Sequence, residues 1–276
     1  MNASTPRFSL IGSSHLFGVI DQYVGKLPDN GFQRAWDTGV PATGPLDLGG
    51  PPGWQGEFVL FNTPAAGPPP ELRDGMLYLP EQLSRVLGSV SADSRCVFSL
   101  MRGHEYAVAS LVDDPGHADF SDAHGQSLTG RRWMSRQDAL GWVREFSEPI
   151  FTTVVALRQH LPQARIVQVP PPPPIESEAH ILAHPESFGA LFSAYGVKPF
   201  EMRLRLYRLM TADLAARLQP YGIASLPPPA GALTPAGGLH ADFARGCLHG
   251  NHEYARVLGE QVKAYLNTLG VAHASV

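Results

Sequence analysis

The sequence predicts an α/β fold: three layers, α/β/α, with a mostly parallel five-stranded sheet between two layers of helices. Three observations predict it. Five short apolar runs read as strands, helical stretches separate them, and 43% hydrophobic residues in 276 can bury a large core. Apolar runs without polar alternation belong to strands buried on both faces, and helices on both sides of the sheet bury them. A single domain over 1–276 is expected, because α/β chains of this length often close around one core.

The first strand runs from Phe8 to Ile11 and empties into Gly12-Ser13-Ser14-His15, after which a helical pattern fills 15–24. Residues 38–56 and 64–70, rich in Gly and Pro, are expected to form a long irregular excursion on either side of the second strand, Glu57 to Phe61. A helix over 80–88 leads to the third strand, Cys96 to Leu100. The loop 113–132 carries Asp113, Asp114, His117, Asp119, Asp122 and His124 and reads as a polar surface loop. Helices over 136–145 and 148–160 precede the fourth strand, Arg165 to Val169, which leaves the sheet through the rigid run Pro170 to Pro174. The helix over 199–218 shows a stripe of Phe200, Leu204, Tyr207, Thr211, Leu214 and Leu218. A fifth strand, Gly222 to Leu226, exits through Pro227-Pro228-Pro229. The last helix, 252–269, has Asn251 as its cap and Gly270 as its stop.

Composition narrows the function classes. Lys+Arg of 21 against Asp+Glu of 25 gives a net charge of -4, and no basic run offers a phosphate-binding stripe, so no nucleic acid is expected as a partner. No apolar stretch approaches the roughly 18 residues of a membrane span, so no membrane is expected either. The first strand begins by residue 8, so a cleavable leader would remove the candidate site, and the expected compartment is the cytoplasm. Two cysteines make no disulfide framework; Cys96 reads as core, and Cys247 falls two residues before His249.

A strand that ends in Gly-x-Ser and turns into a helix presents a hydroxyl at the sheet edge beside backbone N–H groups. Ser14 is placed there, although Gly-Ser-Ser is also ordinary N-cap material. In parallel sheets ligands bind beyond the carboxyl ends of the strands, and a histidine in the loop before a terminal helix can swing over that edge. His249, in Leu248-His249-Gly250-Asn251, is such a histidine. A metal site is the competing reading of His240, Asp242, His249, His252 and Glu253, yet their spacing forms neither the His-Glu-x-x-His pair nor a Cys/His knuckle.

Three blocks carry a family resemblance. Gly12-Ser13-Ser14-His15 resembles the Gly-Asp-Ser block of the SGNH (GDSL) hydrolases, Gly103-His104-Glu105 resembles their Gly-Asn-Asp block, and Leu248-His249-Gly250-Asn251 with Tyr254 resembles the block of the base histidine. The resemblance implies an SGNH/flavodoxin-like sheet and hydrolysis of an ester bond on a small-molecule or carbohydrate substrate, with no cofactor and no metal. Ser14 would be the nucleophile and His249 the base. Oxyanion donors would be Ser14, His104 in place of the family's asparagine, and Gly39, with Gly67 as the other candidate for that glycine. The family places its acid three residues before the base, where this chain has Gly246; Asp242 is then the nearest upstream carboxylate, and a backbone carbonyl holding the imidazole in a Ser-His dyad is the alternative. A noncatalytic ligand-binding protein, or an acyltransferase using the same residues, are the other readings. Self-association is left open by the sequence.

Overall fold

The computed structural model describes residues 5–25, 37–38, 40–49, 53–62, 66–74, 76–113, 116–123 and 125–271. Its sheet is built from β1 (Arg7–Gly12), β2 (Ala42–Leu46), β3 (Gln55–Leu60), β4 (Ser94–Leu100), β5 (Arg165–Gln168) and β6 (Ala224–Ser225), in the order β6-β5-β4-β1-β3-β2. All five expected strands are present and pair in parallel, β1 between β3 and β4. The sixth, β2, lies antiparallel to β3 inside the stretch 38–56 expected to be irregular. Gly44 and Pro45 hide it, since both are poor strand formers; Pro45 is tolerated because β2 is an edge strand.

The helices are α1 (Phe17–Tyr23), α2 (Glu81–Leu87), α3 (His104–Leu111), α4 (Arg136–His160), α5 (Glu178–Ala183), α6 (Gly189–Tyr195), α7 (Phe200–Leu218) and α8 (His252–Val271). They cover both faces. Phe8, Leu10, Phe58, Leu60 and Phe98 pack with Leu16, Val19, Leu258 and Val262 of the α1 and α8 side. Ile11, Val59, Val97 and Ile166 pack on the other face with Leu83, Val154, Leu206 and Leu214 of α2, α4 and α7. Neighbouring residues of β1 therefore serve opposite cores, which explains why the strand reads as a continuous apolar run.

Three further expectations need correction. Helices over 136–145 and 148–160 are one helix, α4, with Pro149 inside it. Proline removes the N–H that would bond the carbonyl of Glu145, but Glu145 is exposed and its carbonyl can turn to water, while Val143, Ile150, Val154 and Leu157 keep one buried stripe. The helix α7 is buried well beyond its predicted stripe, Met202, Leu206 and Met210 included, because α4 covers it. The loop 113–132 is not a surface loop throughout. Asp113 is buried against Arg131 (2.6 Å) and Lys198 (3.7 Å), and Asp119 is buried in a two-oxygen pairing with Arg205 of α7 (2.7 Å each). Asp119 also accepts the N–H of Phe120 (2.7 Å) and Leu128 (2.8 Å), so one carboxylate organises the loop and ties it to α7. Asp114 and His124 lie outside the described residues.

Candidate active site

Strand β1 ends at Gly12 in the middle of the sheet, and Ser14 opens a single 3-10 turn, Ser14–Leu16, that leads directly into α1. The turn closes when the Leu16 N–H donates to the Ser13 carbonyl at 2.9 Å. Ser14 thus stands at the carboxyl edge of the sheet, flanked by the exits of β3 and β4.

His249 comes from the opposite end of the chain on a two-stranded ribbon, β7 (Ala244–Arg245) paired antiparallel with β8 (His249–Gly250). Asn251 then caps α8: its side-chain oxygen accepts the N–H of Glu253 (2.9 Å) and Tyr254 (3.1 Å), and its amide donates to the Asp242 carbonyl (2.7 Å). The ribbon sits tightly on α1. A Cβ at Gly18 would lie 2.8 Å from the Asn251 carbonyl oxygen, so only glycine permits this approach. The outcome is that His249 Nε2 lies 3.0 Å from Ser14 Oγ.

The other imidazole nitrogen faces a residue that sequence reasoning missed. Glu186, in the turn between α5 and α6, places Oε2 3.9 Å from His249 Nδ1; its side chain is partly exposed. The Cys247 thiol donates to the same oxygen at 3.4 Å. Burial, reinforced by the Glu186 carboxylate, pushes that thiol up to about 12, which keeps it protonated and a poor nucleophile at neutral pH. Asp242 stands elsewhere: its carboxylate is 84% exposed and lies 3.4 Å from His240, while its main chain supports Asn251. His252 pairs with Glu253 at 3.7 Å on the surface, so the histidine-rich stretch disperses and only His249 among these turns to Ser14. His15 packs against His249 with ring centroids 5.2 Å apart.

Of the expected oxyanion groups, His104 opens α3 directly after Gly103, at the exit of β4; its side chain and Gly39 lie outside the described residues. Gly67 is held by its carbonyl, which accepts from Arg102 Nη2 at 2.8 Å. Arg102 is buried and also donates to Thr153 Oγ1 at 3.0 Å, so it bolts the β4 exit to the segment after β3 and to α4. A cavity of about 40 Å³ is lined by His15, Tyr106, Leu111, Pro171, Cys247 and Leu248, with neither Ser14 nor His249 in its wall. The proline run forms one rigid wall of it, fixed by the Tyr207 hydroxyl donating to the Pro171 carbonyl at 2.9 Å.

No family model matches the chain, and no curated protein matches its sequence. Solved structures do match. A Streptococcus pneumonia protein that carries the provisional name platelet activating factor is 13% identical over 96% of this chain and 86% of its own, with a TM-score of 0.51. A Bacteroides fragilis protein provisionally named an acylhydrolase is 10% identical over 95% and 87%, with a TM-score of 0.46. A GDSL-like lipase from Bacteroides thetaiotaomicron is 8% identical over 96% and 89%, with a TM-score of 0.42. The chain shares its fold, a mostly parallel six-stranded sheet between layers of helices, with the Streptococcus pneumonia protein.

Proposed function

We propose that this chain is a serine ester hydrolase. The observation that carries the reading is the 3.0 Å contact between Ser14 Oγ and His249 Nε2, made by residues from the two ends of the chain at the carboxyl edge of the sheet. A serine hydroxyl that donates to a neutral imidazole can lose its proton as it attacks. In this reading Ser14 Oγ bonds to the ester carbonyl carbon while its proton passes to Nε2. The Ser14 backbone N–H and His104 would be the donors to the tetrahedral oxyanion, the alkoxide leaves with the proton from His249, and water, deprotonated by His249, then releases the acid and restores Ser14.

The ester would be one on a small-molecule or carbohydrate-like alcohol. A fluorophosphonate probe followed by peptide mapping tests the reading: it should modify Ser14, and Ser14→Ala should abolish ester turnover in a folded protein. Modification of another serine, or full activity in the alanine variant, would refute it.

A further inference from the structure

For Nε2 to accept the serine proton, the single proton of the neutral imidazole must sit on Nδ1, and something must hold it there. We propose that Glu186 is this positioning residue, and that it occupies the space from which a side chain at position 246 would otherwise act. The proposal rests on the serine-hydrolase reading of Ser14 and His249.

Several observations converge on it. Glu186 Oε2 already stands 3.9 Å from Nδ1, and a small rotation of the glutamate closes that gap, as catalytic hydrogen bonds in unliganded enzymes are often long. Position 246, three residues before the base, is glycine at φ +60, and a Cβ built there would fall 2.2 Å from Glu186 Oε1 and 2.4 Å from its Cδ. The carboxylate therefore lies where a residue-246 side chain would begin. Glycine at 246 and glutamate at 186 are two halves of one arrangement: any side chain at 246 evicts the carboxylate. Glu186 also holds φ +48, a conformation that residues with a Cβ seldom adopt and that persists where the surroundings over-determine it. The Cys247 S–H···Oε2 contact fixes the carboxylate's orientation from the third side.

The test removes the charge and then restores it from the other position. Glu186→Gln keeps the shape and should lower kcat by up to about 10⁴ with little change in KM, the scale seen when a triad carboxylate is neutralised. Glu186→Asp should recover part of the loss. The double variant Glu186→Gly with Gly246→Asp returns a carboxylate to the same space and should exceed Glu186→Gly alone by at least about tenfold, roughly 1.4 kcal/mol of barrier. A second readout does not depend on turnover. In the Ser14→Ala background, ¹⁵N shifts of His249 should show the Nδ1–H tautomer, and Glu186→Gln should convert it to a mixture. An unchanged tautomer, or Glu186→Gln turnover within about threefold of the parent, would overturn the proposal. Should Ser14 fail to label and no ester turn over, the hydrolase reading fails, and the tautomer measurement still decides whether Glu186 positions the imidazole.

Discussion

Each carboxylate near His249 must be weighed by what it touches. Asp242 is the nearest carboxylate upstream but is solvated and faces His240, an exposed pairing of the kind that contributes about 0–1 kcal/mol. Asp242→Asn is accordingly expected to leave kcat/KM within about threefold of the parent, and a loss beyond about a hundredfold, 2.7 kcal/mol of barrier, would return it to the catalytic unit. Steady-state kinetics normalised to fluorophosphonate titration makes the comparison. Ser14 and His249 were legible because each follows a local pattern, a strand-to-helix turn and a loop before a capped helix. Glu186 was not, since Pro185-Glu186-Ser187 has no periodicity or spacing that links it to a histidine so far along the chain. The one trace in the sequence was a vacancy, glycine where the family keeps its acid.

At the scale of elements, the site depends on how closely α1 and the ribbon before α8 approach. Gly18 is the point of contact with Asn251, and Asp21 pairs with Arg245 at 3.1 Å and the Tyr23 hydroxyl donates to the Arg256 carbonyl at 3.2 Å along the same seam. Gly18→Val would force a branched side chain into a 2.8 Å gap. Overpacking of this kind costs about 1–3 kcal/mol, and here it also moves His249 away from Ser14. The expected outcome is a lowered thermal midpoint together with a fall in turnover per folded molecule. A loss of stability alone, with turnover intact, would show that the seam tolerates displacement. The strand β2 and the continuity of α4 illustrate the limit of local pattern: a Gly-Pro strand forms because β3 offers a free edge, and a helix runs through Pro149 where the residue one turn before it, Glu145, is exposed.

Across the whole molecule, buried charges join the 113–132 loop to α7. Burial alone would raise the Asp113 carboxyl, but hydrogen bonds from Arg131, with Lys198 and His117 nearby, override it and hold the group at about 2. The unfolded chain would titrate at about 3.9, so the folded state binds the proton less readily. The stabilisation from Asp113 is therefore complete above about pH 4 and is lost as the pH falls towards about 2. Urea unfolding across this window should show stability decreasing on acidification. Asp113→Asn should be less stable at neutral pH and lose less of its stability across the window, and an identical slope in the two proteins would remove Asp113 from the linkage. Among the described residues no helix is long and apolar enough to cross a membrane.

The sequence by itself determined the α/β/α layering, the order of the five parallel strands along the chain, the capped terminal helix and the two ends that meet at Ser14 and His249. These follow from short-range rules, the short apolar runs of strands buried on both faces, the helical repeat and cap chemistry, which need no knowledge of distant partners. Tertiary structure alone decided which carboxylate faces the imidazole, that Asp119 pairs with Arg205 in the interior, that β2 completes the sheet, and that Gly18 lets the chain ends touch. The physical reason is that each of these is a contact between segments far apart in sequence. Its free energy appears only when the fold has excluded water and set the geometry, and neither segment carries a local mark of the other.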